Sequence, residues 1–262
     1  MKKLGFALGA GGSRGCAHIG FLKAMEEEGI KPDFISGTSM GSVVGACYAA
    51  GYSPDYMIKE VKKLKLGDIF DLSLNPVFNG ALLRSDKMQK KLKQYLGDKT
   101  FNDLNIPFRC VATDLIQGHA VILGGNEKVC SSVAASSTVP GVFKPIQNGE
   151  KMLVDGGIVC RVPIRTVREM GAEVIVGVDV LGKVRPVDRK YNMMGVLLRM
   201  FDITDSELVK YKIGRQRPDL FLEPDLGNMS QYKFKDIGMA IEKGYELGRE
   251  YAEHIKELIN SD

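Results

Sequence analysis

Gly37-Thr38-Ser39-Met40-Gly41 places a single hydroxyl on a sharp turn between a strand and a helix. Ahead of it, Asp33-Phe34-Ile35-Ser36 is partly apolar and follows Pro32, which suits a strand. Behind it, Ser42-Val43-Val44-Gly45-Ala46-Cys47-Tyr48-Ala49-Ala50 is long enough, and its residues small enough, to begin a tightly packed helix. Ser39 falls at the junction. A side chain at Gly37 or Gly41 would collide with the crossing backbone, so the G-x-S-x-G spacing is a mechanical requirement of a nucleophile elbow. The helix that follows directs its free N–H groups and its positive end at the same point. Glycine-serine turns are common and most are plain connections, so the pentapeptide acquires meaning only with partners elsewhere in the chain.

A first partner lies upstream. Leu4-Gly5-Phe6-Ala7-Leu8 reads as a buried parallel strand that runs into Gly9-Ala10-Gly11-Gly12-Ser13-Arg14-Gly15. From Cys16 to Glu28 the apolar residues recur at helical spacing, and Gly29 supplies a C-terminal stop. A strand–loop–helix start of this kind exposes successive backbone N–H groups, which suits a phosphate or a developing oxyanion. A dinucleotide fingerprint would need glycine where Arg14 stands and an acid closing the next strand, whereas Asp33 precedes that strand. In the acyl-transfer reading, the N–H groups of Gly11 and Gly12 face a carbonyl attacked by Ser39. The two loops leave successive strands of a β-α-β unit and so should lie side by side at the C-terminal edge of the sheet.

A second partner is Met152-Leu153-Val154-Asp155-Gly156-Gly157, an apolar strand ending in an acid and two glycines. Alone it would be an ordinary strand-to-turn acid; with the other two motifs Asp155 becomes the candidate base. The three motifs in this order resemble those of the patatin-like phospholipases, which combine a G-G-G-x-R-G loop, a G-x-S-x-G elbow and a D-G-[GA] segment. The resemblance, which covers roughly the first two thirds of the chain, implies a mainly parallel α/β sheet sandwiched between helices and acyl-ester hydrolysis by a Ser-Asp dyad; from length and composition residues 1–262 are expected to form one domain. It implies Ser39 as nucleophile, Asp155 as base, Gly11 and Gly12 as oxyanion donors, and Arg14 as the loop arginine. Ala10 departs from the first glycine of the loop, which touches only the tightness of that turn. Val133 to Pro145 is similar to the family's small-residue segment ahead of the aspartate strand. The implied substrate is a phospholipid or lysophospholipid, with no metal and no cofactor; neither an EF-hand loop nor an H-E-x-x-H pair is present.

Composition limits the alternatives. Lysine and arginine number 36 against 32 aspartate and glutamate, a net charge of +4, too small to point to nucleic acid. Five cysteines, Cys16, Cys47, Cys110, Cys130 and Cys160, contain no C-x-x-C pair and read as buried free thiols rather than disulfides or a zinc site. No stretch approaches ~20 apolar residues, and the N-terminus has no cleavable leader pattern, so the expectation is a cytoplasmic protein. Two rival readings are a binding module that keeps the elbow without turnover and a Ser-Asp-His hydrolase. For the latter, His254 has the right chain order, whereas His18 and His119 do not; only one strand precedes that of the elbow, which disfavours it.

Other stretches carry weaker signals. Tyr56 to Lys99 is rich in lysine, with Ile58, Val61, Leu64 and Leu66 at helical spacing, and reads as a solvated amphipathic face that could meet anionic lipid headgroups. Asn75-Pro76-Val77-Phe78-Asn79-Gly80 reads as a loop. Asp114 closes a second strand, Pro107 to Asp114, and competes with Asp155, but it lacks the paired glycines. Tyr191 to Ile203 is apolar and methionine-rich, a core helix by default and a lid or interfacial helix in the functional alternative. The segment beginning at Phe234 and ending at Ile259 is a long amphipathic helix that should close one face of the sheet.

Overall fold

The computed structural model describes residues 1–64, 85–184, 186, 192–233 and 235–261. Its first strand, β1 (Leu4–Leu8), is buried at every position, as a strand covered on both faces must be. Strand β2 (Phe34–Thr38) runs parallel to it with Leu8 opposite Gly37, which brings the glycine loop and the elbow to the same edge. On the other side of β1, β7 (Val174–Val178) and then β8 (Leu220–Leu222) continue the parallel set. Beyond β2 lies β3 (Phe108–Asp114), also parallel. Strands β4 (His119–Leu123), β5 (Ile146–Asn148) and β6 (Lys151–Asp155) add antiparallel pairings. The hydrogen-bonded path is β5-β6-β3-β2-β1-β7-β8, with β4 paired to β3.

The register on β3 positions the site. Cys110 and Val111 pair with both β2 and β4, and Ala112 to Asp114 pair with both β4 and β6. A strand has two edges, so β4 occupies one, and β2 and β6 share the other, end to end. Thr38 lies opposite Val111 and Asp155 opposite Ala112. The antiparallel β6 thus delivers its last residue to the point where β2 stops.

Side chains alternate across β1: Leu4, Phe6 and Leu8 enter the larger core, and Ala7 the smaller one with Val162, Ile164, Val167, Ala172 and Ile175. The larger core is covered by α1 (Ala17–Glu27), α2 (Met40–Ala49), α4 (Asp86–Leu96), α5 (Val129–Ser136) and α8 (Ile237–Asn260). The smaller face is covered by α6 (Ile164–Glu169), which lies close because Gly5 and Gly177 offer no side chain; a methyl on Gly5 would sit 2.6 Å from Val167.

Tyr56 to Lys99 resolves into α3 (Pro54–Val61), capped by Ser53, and α4, with lysines paired to Glu60 and Asp98 on a solvated face. Residues 65–84, including Leu66 and the Asn75–Gly80 stretch, lie outside the described residues. The five thiols form no disulfide, and three of them are half-buried rather than buried. The segment from Tyr191 to Ile203, described from Asn192 onward, is the main correction. Asn192 caps α7 (Met193–Gln216), which is no core helix over its first turns: Met193 is 80% exposed, Leu197 53% and Met200 59%. Its outward residues, Met193, Val196, Leu197, Met200 and Ile203, follow the helical repeat, so one apolar stripe faces outward.

Helices α1 and α8 touch backbone to backbone. A methyl on Gly244 would lie 1.9 Å from the carbonyl oxygen of Ala17, and one on Gly20 would lie 1.8 Å from that of Ile241. Alanine favours a helix over glycine by about 1 kcal/mol, but forcing the helices apart costs about 1–3 kcal/mol. Gly244→Ala is therefore expected to lower the midpoint of chemical unfolding, whereas Gly238→Ala, with open space around it, should raise or preserve it.

Candidate active site

Ser39 sits at φ 53° and ψ −125°, in left-handed territory that costs a non-glycine residue about 1–3 kcal/mol. The surroundings hold it there. Its N–H donates to the Ser136 hydroxyl at 2.9 Å, and its carbonyl accepts from the Ser42 hydroxyl at 2.6 Å and from the N–H groups of Ser42 and Val43. The flanking glycines are where the backbones cross: a methyl on Gly37 would lie 2.6 Å from the Gly41 oxygen, and one on Gly41 2.2 Å from the Leu8 oxygen.

The Ser39 hydroxyl donates to Asp155 Oδ2 at 2.6 Å, across 116 residues of chain. Both are buried, at 7% and 6% exposure. The other carboxylate oxygen accepts from the Gly157 N–H at 2.8 Å. Burial pushes the Asp155 carboxyl up to about 6, against the pull of the Ser39 and Gly157 hydrogen bonds toward the charged form. Such a carboxylate is a stronger base than a solvated one and is still mostly ionised at neutral pH.

The glycine loop lies beside this pair. A methyl on Gly157 would come 3.4 Å from the Ala10 methyl. Four of the loop's other N–H groups are spent: Gly9 on Val178, Ala10 on Arg161, Ser13 on Gln231 and Arg14 on Gly11. Among the described residues those of Gly11 and Gly12 donate to no protein acceptor. Gly12 has φ 50°, and a methyl there would meet the Gln231 oxygen at 2.3 Å, so the 230–231 segment lies directly over the loop. Arg14 is half-buried in a 3-10 turn, Gly12–Cys16, that precedes α1.

Residues 159–163 brace these parts with their carbonyls. Cys160 accepts from the Thr38 hydroxyl, Arg161 from the Ala10 N–H and Pro163 from the Ser36 hydroxyl, each at 2.9 Å, while Val159 accepts from Lys212 on α7. The Arg161 side chain makes a bidentate pair with Asp179 at 2.8 and 2.7 Å, reaches Asp205 of α7 at 3.2 Å and donates to the Gly182 oxygen. All three charged groups are buried. Burial, opposed by Arg161, pushes Asp205 up to about 7, and the charge of Asp155 adds to that rise. This cluster escaped the sequence reading, which takes Asp179 as a residue of a buried strand running from Glu173 to Val180, and no local pattern marks Arg161 or Asp205.

The rival residues lie elsewhere. Asp114 pairs with Leu153, and its Oδ1 accepts from Ile116 and Met152. Burial raises its pKa, but hydrogen bonds from Ile116, Met152 and Gln117 outweigh this and hold the carboxyl below its ordinary value, the wrong direction for a base. His18 is buried under the loop with Nε2 on the Gly9 oxygen, and burial pushes it down to about 4. His119 is exposed on β4, and His254 is exposed beside Glu257 on α8. None of the three rings bonds Ser39 or Asp155. Among the described residues no group of three or more histidine, cysteine or acidic side chains could hold a metal.

The model of the patatin-like phospholipase family matches residues 6–168, a range that contains Ser39, Asp155 and the glycine loop. An uncharacterized NTE family protein of Mycobacterium tuberculosis is 34% identical over 181 residues, 69% of this chain and 49% of its own. Lysophospholipase nte1 of Emericella nidulans is 25% identical over 281 residues, 97% of this chain and 18% of its own. The chain thus spans half or less of the length of these relatives. Among solved structures, VipD from Legionella pneumophila superposes with a TM-score of 0.62 at 13% identity, over 97% of this chain and 67% of that one. ExoU of Pseudomonas aeruginosa, crystallised with SpcU, gives 0.51 at 15% identity, over 100% and 53%. Both are likenesses of fold.

Removing the guanidinium would strand two buried carboxylates. Arg161→Met is expected to lose about 3–5 kcal/mol of stability at pH 7.5 by chemical unfolding. The loss should shrink at pH 5, where the stranded acids take up protons.

Proposed function

This chain belongs to the patatin-like phospholipase family, and we propose that it is a serine acyl hydrolase acting on lipid-like carboxylic esters such as phospholipids or lysophospholipids. The observation that carries the reading is the buried 2.6 Å hydrogen bond from the Ser39 hydroxyl to Asp155, beside the two uncommitted glycine N–H groups. A lysophospholipase among the relatives supports the substrate class.

A serine hydroxyl is a poor nucleophile without a base. As Ser39 Oγ bonds to the ester carbonyl carbon, its proton passes to Asp155 Oδ2, and the carbonyl electron pair becomes an oxyanion facing Gly11 and Gly12. Each such donor is worth about 3 kcal/mol in comparable sites. Collapse breaks the ester C–O bond, and the alcohol leaves with the proton that Asp155 took up. Asp155 then accepts a proton from the water that attacks the acyl-enzyme, and Ser39 departs with it as the acid is released. Ser42, Gly37 and Gly41 act on the geometry of the turn rather than on the ester.

A lipid-like substrate comes from an aggregate, and the outward apolar stripe of α7 is the surface we assign to contact with it. No helix of the described residues is long and apolar enough to cross a membrane. A helix with apolar residues outward and Asp202, Asp205 and Lys212 turned to the protein suits a position in the plane of the interface.

A fluorophosphonate probe should add to Ser39, located by peptide mass analysis, and Ser39→Ala should neither label nor hydrolyse p-nitrophenyl esters. A folded wild-type protein that fails to label would favour the silent binding module. Because the reactive form is the carboxylate, kcat/KM should fall as pH drops through about 6. Separately, Leu197→Glu with Met200→Glu should weaken sedimentation with phosphatidylglycerol vesicles and slow vesicle hydrolysis by roughly tenfold or more, leaving turnover of a soluble short-chain ester near wild type. Equal loss on both substrates would remove α7 from the interface.

A further inference from the structure

The small-residue segment that ends α5 and continues to Thr138 has no part in the chemistry above, yet it touches both members of the dyad. We propose that the end of α5 is a jig for the reaction, with Ser136 the positioning residue for the nucleophile and Thr138 that for the base. The Ser136 hydroxyl is fully buried and has one proton, which it donates to the Val111 oxygen at 2.6 Å. Its lone pair is thereby turned to the Ser39 N–H, 2.9 Å away. Two residues on, the Thr138 carbonyl accepts the Asp155 N–H at 2.8 Å, and the Thr138 hydroxyl is itself fixed on the Ala134 oxygen at 2.8 Å.

The two prongs meet the ends of β2 and β6 at adjacent places on β3, since Thr38 pairs with Val111 and Asp155 with Ala112. Ser136 therefore ties the strained Ser39 turn to the same strand position that sets the reach of Asp155. One consequence is chemical. With its N–H spent on Ser136, Ser39 cannot donate to an oxyanion, and that task passes to the glycine loop.

The inference rests on the dyad reading, and Ser39→Ala tests that reading alone: a variant that keeps activity ends both. If Ser39→Ala is inactive, Ser136→Ala becomes the decisive test. Its kcat on p-nitrophenyl butyrate is expected to fall roughly 10–100-fold, the scale of a displaced reacting group, with KM changed by less than about threefold. Loss of the Ser39 hydrogen bond should also move the acid limb of kcat/KM to higher pH, because that bond favours the carboxylate. The other ionisable groups that feel the Asp155 charge, Asp205 and Tyr232, are untouched by the substitution. A kcat within about twofold of wild type, or a fall in kcat with the acid limb unmoved, would overturn the proposal while leaving the dyad standing. Should Ser136→Ala fail to fold, Ser136→Cys keeps the side chain's shape with a weaker donor and acceptor, and the same two readings decide the matter.

Discussion

Val111 and Ala112 are consecutive residues of β3, and one edge of that strand pairs with β2 at the first and with β6 at the second. Two strands laid end to end on one edge cannot overlap, and because β2 runs parallel to β3 and β6 antiparallel, it is their two C-terminal ends that meet. The residue that closes β6 is Asp155, and the residue that follows β2 is Ser39. Their 2.6 Å hydrogen bond follows from hydrogen-bond register, which backbone pairing holds more stiffly than side-chain contact could. The glycines serve this arrangement. Gly156 lies where a methyl would meet the Val111 oxygen at 2.2 Å, so the chain leaving Asp155 must pass close over the same strand.

Burial then tunes what register has assembled. Asp155 has lost its water and gained hydrogen bonds from Ser39 and Gly157, and the first effect prevails, so the carboxyl is more basic than in solution. Behind it, Arg161 pairs with Asp179 and with Asp205 Oδ2 in a site almost without solvent, while Asp205 Oδ1 is buried without a hydrogen bond among the described residues. Such a cluster is weak evidence for stability, because desolvation offsets much of the attraction. Its geometric effect is firmer. The Arg161 backbone carbonyl holds Ala10 of the glycine loop while its side chain holds α7, so one residue links the loop to the helix.

That link gives α7 its place. Lys212 and Asp205 fasten the helix to residues 159 and 161, a few positions beyond Asp155, and Asp202 meets Gln231, whose carbonyl holds Ser13 of the glycine loop. The polar anchors face inward, and the first three turns turn methionine, valine, leucine and isoleucine outward. Apolar residues on both sides of a helix make it resemble a core element when only composition is considered.

Local chemistry made much of the molecule readable in one dimension. The Ser39 turn, the glycine loop and the acid-glycine-glycine end were legible because each requires particular small residues within a few positions, a constraint that backbone sterics impose wherever the turn occurs. The parallel strands were legible as short apolar runs between helices. Three things were decided only by tertiary structure. The Ser136 and Thr138 contacts depend on where a helix end docks against β3, and no local pattern encodes a docking site. The buried Arg161 cluster joins residues up to 44 apart whose charges, in sequence, look like surface charges. The outward face of α7 depends on which side its polar anchors, Asp202, Asp205 and Lys212, pull inward, because hydrophobicity alone cannot tell a core face from an exposed apolar stripe.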